Sequence, residues 1–328
     1  MQLENSIIKL IPKINDKNFK RYALEIFKFQ ALENQVYSSY LKHLNLKIES
    51  VQEIDQIPFL PIDFYKEHTI KSGSWNEDLI FKSSGTSGQQ RSHQFVHSLS
   101  DYHWITATIF ESVYGPLSDF VIAALLPSYL EQGDSSLISM VDHFIGKTND
   151  DLSGYVEIDA KGILEKYRQS QDHGRKFLLI GVSYALMDLT ASPISIPNAL
   201  LMETGGMKGR GKELTRRELH AIYKKAFGVK CVHSEYGMSE LNSQAYSVHD
   251  GIFLKPPWMH IKIRDINDPF TYKLQGQSGA LNIIDLANLH TCSFLETKDL
   301  GRLNADQSFE ILGRMDNSDI RGCNLLMA

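Results

Sequence analysis

The chain has 328 residues, 42% of them hydrophobic and only 10 of them proline, which allows a large buried core and argues against intrinsic disorder. Its charge is 34 − 39 = −5, so no basic field invites nucleic acid, and no run approaches the ~20 apolar residues of a membrane span. The three cysteines, Cys231, Cys292 and Cys323, are too few and too odd in number for a disulfide framework; with no apolar leader at the N-terminus, the cytoplasm is the expected compartment.

Residues 1–78 read as a helical segment. Asp16 is a candidate N-cap, and Phe19, Tyr22, Ala23, Ile26 and Phe27 follow on one helical face. Tyr37, Tyr40, Leu41 and Leu44 continue a similar face, and the prolines at 58 and 61 end the helices in an extended connection. Residues 79–250 alternate short apolar runs (79–81, 120–126, 177–180 and 199–202) with helical patterns, which predicts an α/β core with parallel strands. Thr215 to Glu218 form a capping-box pattern for a helix over 215–227, with Leu219, Ile222, Tyr223 and Ala226 as its apolar face and Gly228 as its stop. Its basic residues Arg216, Arg217, Lys224 and Lys225 fall mostly on the solvated side. A short strand is expected over 229–232. From 251 to 316, alternating segments such as 259–264 and 279–285, broken by Gly, Asn, Asp and Pro, predict a β-rich, barrel-like subdomain. Residues 317–328 read as a flexible tail.

The strongest local signal follows the run at 79–81. Lys82, Ser83, Ser84, Gly85, Thr86, Ser87, Gly88 and Arg91 give a hydroxyl- and glycine-rich loop flanked by cations. Glycine lets the backbone N–H groups approach a phosphate, hydroxyls add donors, and the cations offset its charge. An ordinary Ser/Gly surface loop has the same composition. Two other stretches imitate a phosphate loop. Gly146-Lys147-Thr148 lacks the first glycine, and in the stretch from Gly206 to Lys212 Glu213 stands where a magnesium-binding hydroxyl belongs. Gly181-Val182-Ser183-Tyr184-Ala185 approximates a nucleophile elbow, with His220, His233 and His249 as candidate bases. Cys231-x-His233 and His290-x-Cys292 are incomplete metal pairs, and His93 and His97 have no confirming partner. Trp104, Phe110, Tyr184 and Trp258 are either pocket or core aromatics.

Two further blocks stand in register with the loop. One is His233-Ser234-Glu235-Tyr236-Gly237-Met238-Ser239-Glu240. The other joins Glu296 to Leu303, containing Asp299, with Glu310 to Gly322, containing Arg314 and Asp316. In this order and separation the three blocks resemble the adenylate-forming superfamily, which includes the acyl-CoA synthetases. The resemblance implies that superfamily's large-domain fold, in which α/β sheets flanked by helices carry a barrel-like C-terminal subdomain, and it implies ATP and Mg²⁺ as cofactors. It assigns the triphosphate to Ser83, Ser84, Gly85, Thr86, Ser87 and Gly88, with Arg91 where many members have lysine. Gly205, Gly206 and Tyr236, followed by Gly237, would bracket adenine. Ser239 would touch the α-phosphate, Glu240 would hold Mg²⁺, Asp299 would bind the ribose hydroxyls, and Arg314 would contact ribose or phosphate. A carboxylate substrate is already ionised at pH 7, so attack on the α-phosphate needs positioning and charge compensation rather than a general base.

The superfamily's usual mobile C-terminal domain is not expected here, since 328 − 316 = 12 residues follow Asp316 and none is lysine. Either this is a piece of a longer chain or the acyl acceptor differs. The tail offers one acceptor, Cys323, two residues after Arg321 and preceded by Gly322; a thiolate is a strong nucleophile toward an acyl-adenylate. With this cysteine, and with the segments 126–137 and 140–144, the sequence resembles the LuxE-like acyl-protein synthetases. That resemblance implies activation of a fatty acid, transfer to Cys323 and delivery to a partner acyl-protein reductase. The alternatives are a stand-alone acyl- or aryl-CoA ligase, a serine hydrolase or acyltransferase using Ser183, and a non-catalytic nucleotide-binding module.

Overall fold

The computed structural model describes residues 6–83, 90–127, 134–205 and 214–315. In chain order the elements are α1 (Ile7–Leu10), α2 (Phe19–Glu33), α3 (Gln35–His43), β1 (Leu60–Pro61), α4 (Phe64–Glu67), β2 (Leu79–Lys82), β3 (His93–Val96), α5 (Leu99–Tyr114), β4 (Phe120–Leu125), α6 (Ser136–Thr148), β5 (Gly154–Tyr155), α7 (Ala160–Asp172), β6 (Lys176–Val182), α8 (Ser183–Leu189), β7 (Leu200–Thr204), α9 (Arg216–Phe227), β8 (His233–Tyr236), β9 (Ala245–Ser247), β10 (Ile252–Leu254), β11 (Met259–Arg264), β12 (Ser278–Asp285), β13 (Phe294–Leu303) and β14 (Phe309–Arg314). No described helix is long and apolar enough to cross a membrane.

One sheet runs β11-β12-β13-β14-β10-β9-β8-β7-β6-β4-β5, with β1 added parallel to β13. The strands β8, β7, β6, β4 and β5 are parallel. Every residue of β4, and all of β6 after Lys176, is buried, as expected of strands covered by helices on both faces. The β-rich region after residue 251 is an antiparallel meander, β11 through β14. It continues into the parallel strands through the ladders β14–β10, β10–β9 and β9–β8. The expected boundaries at 78/79 and 250/251 fall between elements, the second in a turn at Asp250 and Gly251.

Several local expectations hold in detail. The Thr215 hydroxyl accepts from the Glu218 N–H while the Glu218 carboxylate accepts from the Thr215 N–H, and Gly228 ends α9 at φ 70°, a conformation an L side chain resists. The predicted α2 face is buried and extends to Gln30 and Ala31. Three expectations change. The N-cap of α2 is Asn18, not Asp16. Residues 79–82 do not join the parallel sheet; they pair antiparallel with β3 as a separate hairpin, Lys82 opposite His93, because so short a connection cannot make the crossover a parallel pair requires. The strand expected over 229–232 lies instead at 233–236, so the motif itself is the strand.

Candidate active site

Tyr236 and Asp299, from the second and third blocks, meet at the C-terminal end of β8, the end of parallel strands at which open α/β sheets bind ligands. Strand β8 alternates, burying Ser234 and Tyr236 on one face. The Tyr236 ring is wedged edge-on between Phe253 and Phe309, at 5.9 and 5.7 Å, and its hydroxyl donates to Asp299 Oδ2 at 2.7 Å. Asp299 on β13 is the cross-strand partner of Arg314 on β14, whose exposed guanidinium approaches Asp299 Oδ1 to 4.0 Å. Burial drives the Asp299 carboxyl above its ordinary range, against the Tyr236 hydrogen bond and the Arg314 and Arg216 charges.

The turn after β8 carries Gly237, Ser239 and Glu240. A Cβ at position 237 would stand 2.4 Å from Glu235 Oε1, so any larger residue requires the Glu235 side chain to shift. Ser239 is half-buried, and Glu240 is 7% exposed. The turn is lashed down from below. Asn288 Nδ2 donates to the Glu240 carbonyl at 2.7 Å, and Asp285 Oδ2 accepts the N–H groups of Asn242 and Ser243. Burial raises the Glu240 carboxyl; Ser92 and Arg314 pull it down and the Asp299 charge pushes it up. Glu240, Asp299, Arg314 and Ser92 therefore share one electrostatic neighbourhood. Two neighbouring carboxyls that burial raises suit a divalent cation with oxygen ligands. Carboxylate oxygens of this kind are donors that could hold a divalent cation such as Mg²⁺.

The β2–β3 hairpin adjoins this region through Ser92, which stands just before β3 and beside Glu240. The Ser83 hydroxyl accepts from the Ser92 N–H at 3.0 Å, and the Ser83 carbonyl accepts from Arg91 Nε at 2.5 Å. Lys82 and Arg91 both reach Asp134, at 2.7 and 3.4 Å. Ser84, Gly85, Thr86, Ser87 and Gly88, as well as Gly206, Asp316 and Cys323, lie outside the described residues. Gly205 ends β7 at φ 67°, and its carbonyl accepts from the Ser183 hydroxyl at 3.3 Å.

The competing motifs are structural. Ser183, 1% exposed, donates to Glu203 Oε2 at 2.8 Å. His220 sits instead on Glu203 Oε1 and the Ser234 hydroxyl, so the elbow has no Ser–His dyad. Glu203 itself is brought down to about 2 although its burial works the other way, because His220, Arg216 and Ser183 surround it. His233 pairs with Cys231 Sγ at 3.5 Å, and exposed His249 with Asp250. Gly146-Lys147-Thr148 is the last turn of α6 rather than a loop. Cys292 is a buried thiol, His290 stacks on His97, and no group of three His, Cys, Asp or Glu fit to hold a metal exists among the described residues. Phe110, Tyr184 and Trp258 are core residues.

Sequence reasoning missed Ser92, Asp134 and Glu235. The last was quoted within its motif, and its signal was an acid beside Tyr236 in a strand. It accepts a 2.5 Å hydrogen bond from Thr204, yet burial pushes it up to about 7.

No family model and no curated protein matches the sequence. Among solved structures, ATP-bound MatB from Rhodopseudomonas palustris is 18% identical and superposes with a TM-score of 0.55, covering 74% of this chain and 49% of its own. This chain thus spans about half the length of that protein. A 2-hydroxyisobutyryl-CoA ligase in complex with 2-HIB-AMP and CoA, in the thioesterification state, is 12% identical with a TM-score of 0.66 over 92% of this chain and 68% of its own. The open conformation of the same ligase covers 97% of this chain with a TM-score of 0.63 at 11% identity. This is the adenylate-forming ligase fold. Within that fold, Tyr236, Glu240, Asp299 and Arg314 are neighbours in this chain.

Proposed function

We propose that the protein activates a carboxylic acid with ATP. The substrate carboxylate oxygen bonds to the α-phosphorus, the bond from that phosphorus to the bridging oxygen of the β-phosphate breaks, and pyrophosphate leaves. The observation that carries this reading is the convergence of Tyr236, Glu240, Asp299 and Arg314 at the end of β8. Asp299, held by Tyr236, has its other oxygen for ribose hydroxyls. Arg314 is exposed and able to reach ribose or phosphate. Ser239 lies against the α-phosphate, and the glycines at 205 and 237 leave room for the base and the reacting centre. Mg²⁺ at Glu240, when bound, supplies charge neutralisation for the phosphates.

A fatty acid is the proposed substrate, and Cys323 the proposed acceptor. Its thiolate attacks the acyl carbon, AMP leaves as the acyl–phosphate bond breaks, and the thiol proton goes to solvent. A partner acyl-protein reductase would then consume the thioester. This step rests on the sequence pattern alone. The free thiols at Cys231 and Cys292 fit the reducing cytoplasm. The CoA complexes among the similar structures favour coenzyme A as the second candidate acceptor.

ATP–pyrophosphate exchange with a series of fatty and aryl acids tests adenylation; absence of exchange with every acid, alongside ATP binding, would leave only a nucleotide-binding module. Hydroxylamine-labile label on the protein that disappears in Cys323→Ser tests the acceptor. Equal acyl-CoA formation by both proteins, with no label, would replace Cys323 by coenzyme A.

A further inference from the structure

The mouth of the β2–β3 hairpin holds two cations, and both are already neutralised from within. Lys82 Nζ lies 2.7 Å from Asp134 Oδ2 and Arg91 Nη2 lies 3.4 Å from Asp134 Oδ1, so each carboxylate oxygen serves a different cation. The three side chains are 39%, 30% and 28% exposed for Lys82, Arg91 and Asp134, within reach of a solute. Partial burial would raise the Asp134 carboxyl, but the Lys82 hydrogen bond and the two positive charges together keep it below its ordinary range. The main chain is fastened independently: the Lys82 N–H donates to the Asp134 carbonyl at 2.8 Å, and Arg91 Nε stays on the Ser83 carbonyl. The carboxylate can therefore swing away by side-chain rotation while the hairpin remains closed.

We propose that Asp134 sets the anion selectivity of this mouth, acting as an internal counter-ion of Lys82 and Arg91 that a polyphosphate displaces and a small anion does not. The inference rests on the adenylation reading, in which these cations face the triphosphate. A singly charged anion that replaced Asp134 would exchange one set of charge-assisted hydrogen bonds for an equal one and lose its own translational freedom. A polyphosphate brings several charges to the same two cations and gains on the exchange. Selectivity then comes from a built-in competitor rather than from a tighter pocket.

The test is calorimetric titration of the whole protein with inorganic tripolyphosphate and, separately, inorganic monophosphate. Wild type is expected to bind tripolyphosphate and discriminate strongly against monophosphate. Asp134→Asn, nearly isosteric, should bind tripolyphosphate about fivefold more tightly, the scale of a part-exposed ion pair. It should also bind monophosphate measurably and so narrow the ratio between the two. Asp134→Glu, which restores the charge, should return the ratio toward wild type. In a Lys82→Gln background the effect of Asp134→Asn should shrink. Unchanged or weaker tripolyphosphate binding by Asp134→Asn, in a protein that still exchanges pyrophosphate into ATP, overturns this inference alone. No tripolyphosphate binding and no exchange by either protein overturns the adenylation reading with it.

Discussion

Burial opposes the charge of Glu240, and the adenylation proposal gives that carboxylate its role. A buried carboxyl whose charge is opposed by burial and by Asp299 stabilises nothing, so its removal should cost activity and not structure. Glu240→Gln is expected to lower ATP–pyrophosphate exchange at least a hundredfold, an order set by the loss of a charge-stabilising ligand, with an unchanged or higher melting temperature. Full exchange in the variant would place the metal elsewhere. Glu235 makes a separate prediction. Its carboxyl stands at about 7 instead of 4.5 because burial and then the Glu203 charge raise it, against the Thr204 hydrogen bond. Between those two values the native state holds a proton that the unfolded chain has lost, so its contribution to stability falls as pH rises from about 4.5 to about 7. Glu235→Gln should therefore gain in melting temperature relative to wild type as pH is raised across that window; a constant difference would contradict the assignment. The motif around Tyr236 could be read residue by residue because its chemistry is local. What Glu235 and Ser92 meet could not be read, since Thr204 comes from β7 and Glu240 from the turn after β8.

Helix α9 shows how an element with legible ends acquires an unexpected role. Its capping box and terminal glycine were readable, and so was its apolar face. Arg216, placed on the solvated side by its position in the helix, instead turns inward. Its Nε meets Glu203 at 2.9 Å, its Nη1 donates to the Ile311 carbonyl at 3.1 Å, and its guanidinium lies 5.0 Å over the Phe253 ring. It ties α9 to β7, β10 and β14, the strand that carries Arg314. Arg216→Met should destabilise by about 2 kcal/mol, the scale of a lost charge-assisted bond to a buried partner. Exposed Arg217→Met should be nearly neutral. Urea titrations of the two variants give the comparison, and equal midpoints would show Arg216 to be solvated. On the other side of the molecule, α2 and α3 dock on β13 through Phe294, which packs against Phe27, Tyr37 and Phe59. Gln30 donates to the Asn288 and Leu289 carbonyls and accepts from the Ser293 N–H. The helical segment thus supports the turn that holds Glu240 through Asn288.

Across the whole molecule, the three expected segments share one ladder of hydrogen bonds. The site needs both ends of it, since Tyr236 comes from the parallel part and Asp299 from the meander. A fragment of residues 1–250 would lose β10 to β14, leave β9 an open edge, leave β1 without its partner β13 and take Phe294 from the N-terminal helices. It should not fold cooperatively, and far-UV circular dichroism with thermal melting would reveal it; a sharp transition in the fragment would show that the N-terminal 250 residues are autonomous.

Periodicity and the caps of α9 were determined by the sequence alone, because each depends on residues within a turn or two of one another. The apolar runs of β4 and β6 and the ends of α9 belong to this class. Only the tertiary structure decided that 79–82 forms a hairpin, that Ser183 answers to Glu203 and not to a histidine, and that Asp134 neutralises Lys82 and Arg91. Those facts depend on charges and hydroxyls that stand tens of residues apart in the chain and meet only when the sheet has formed.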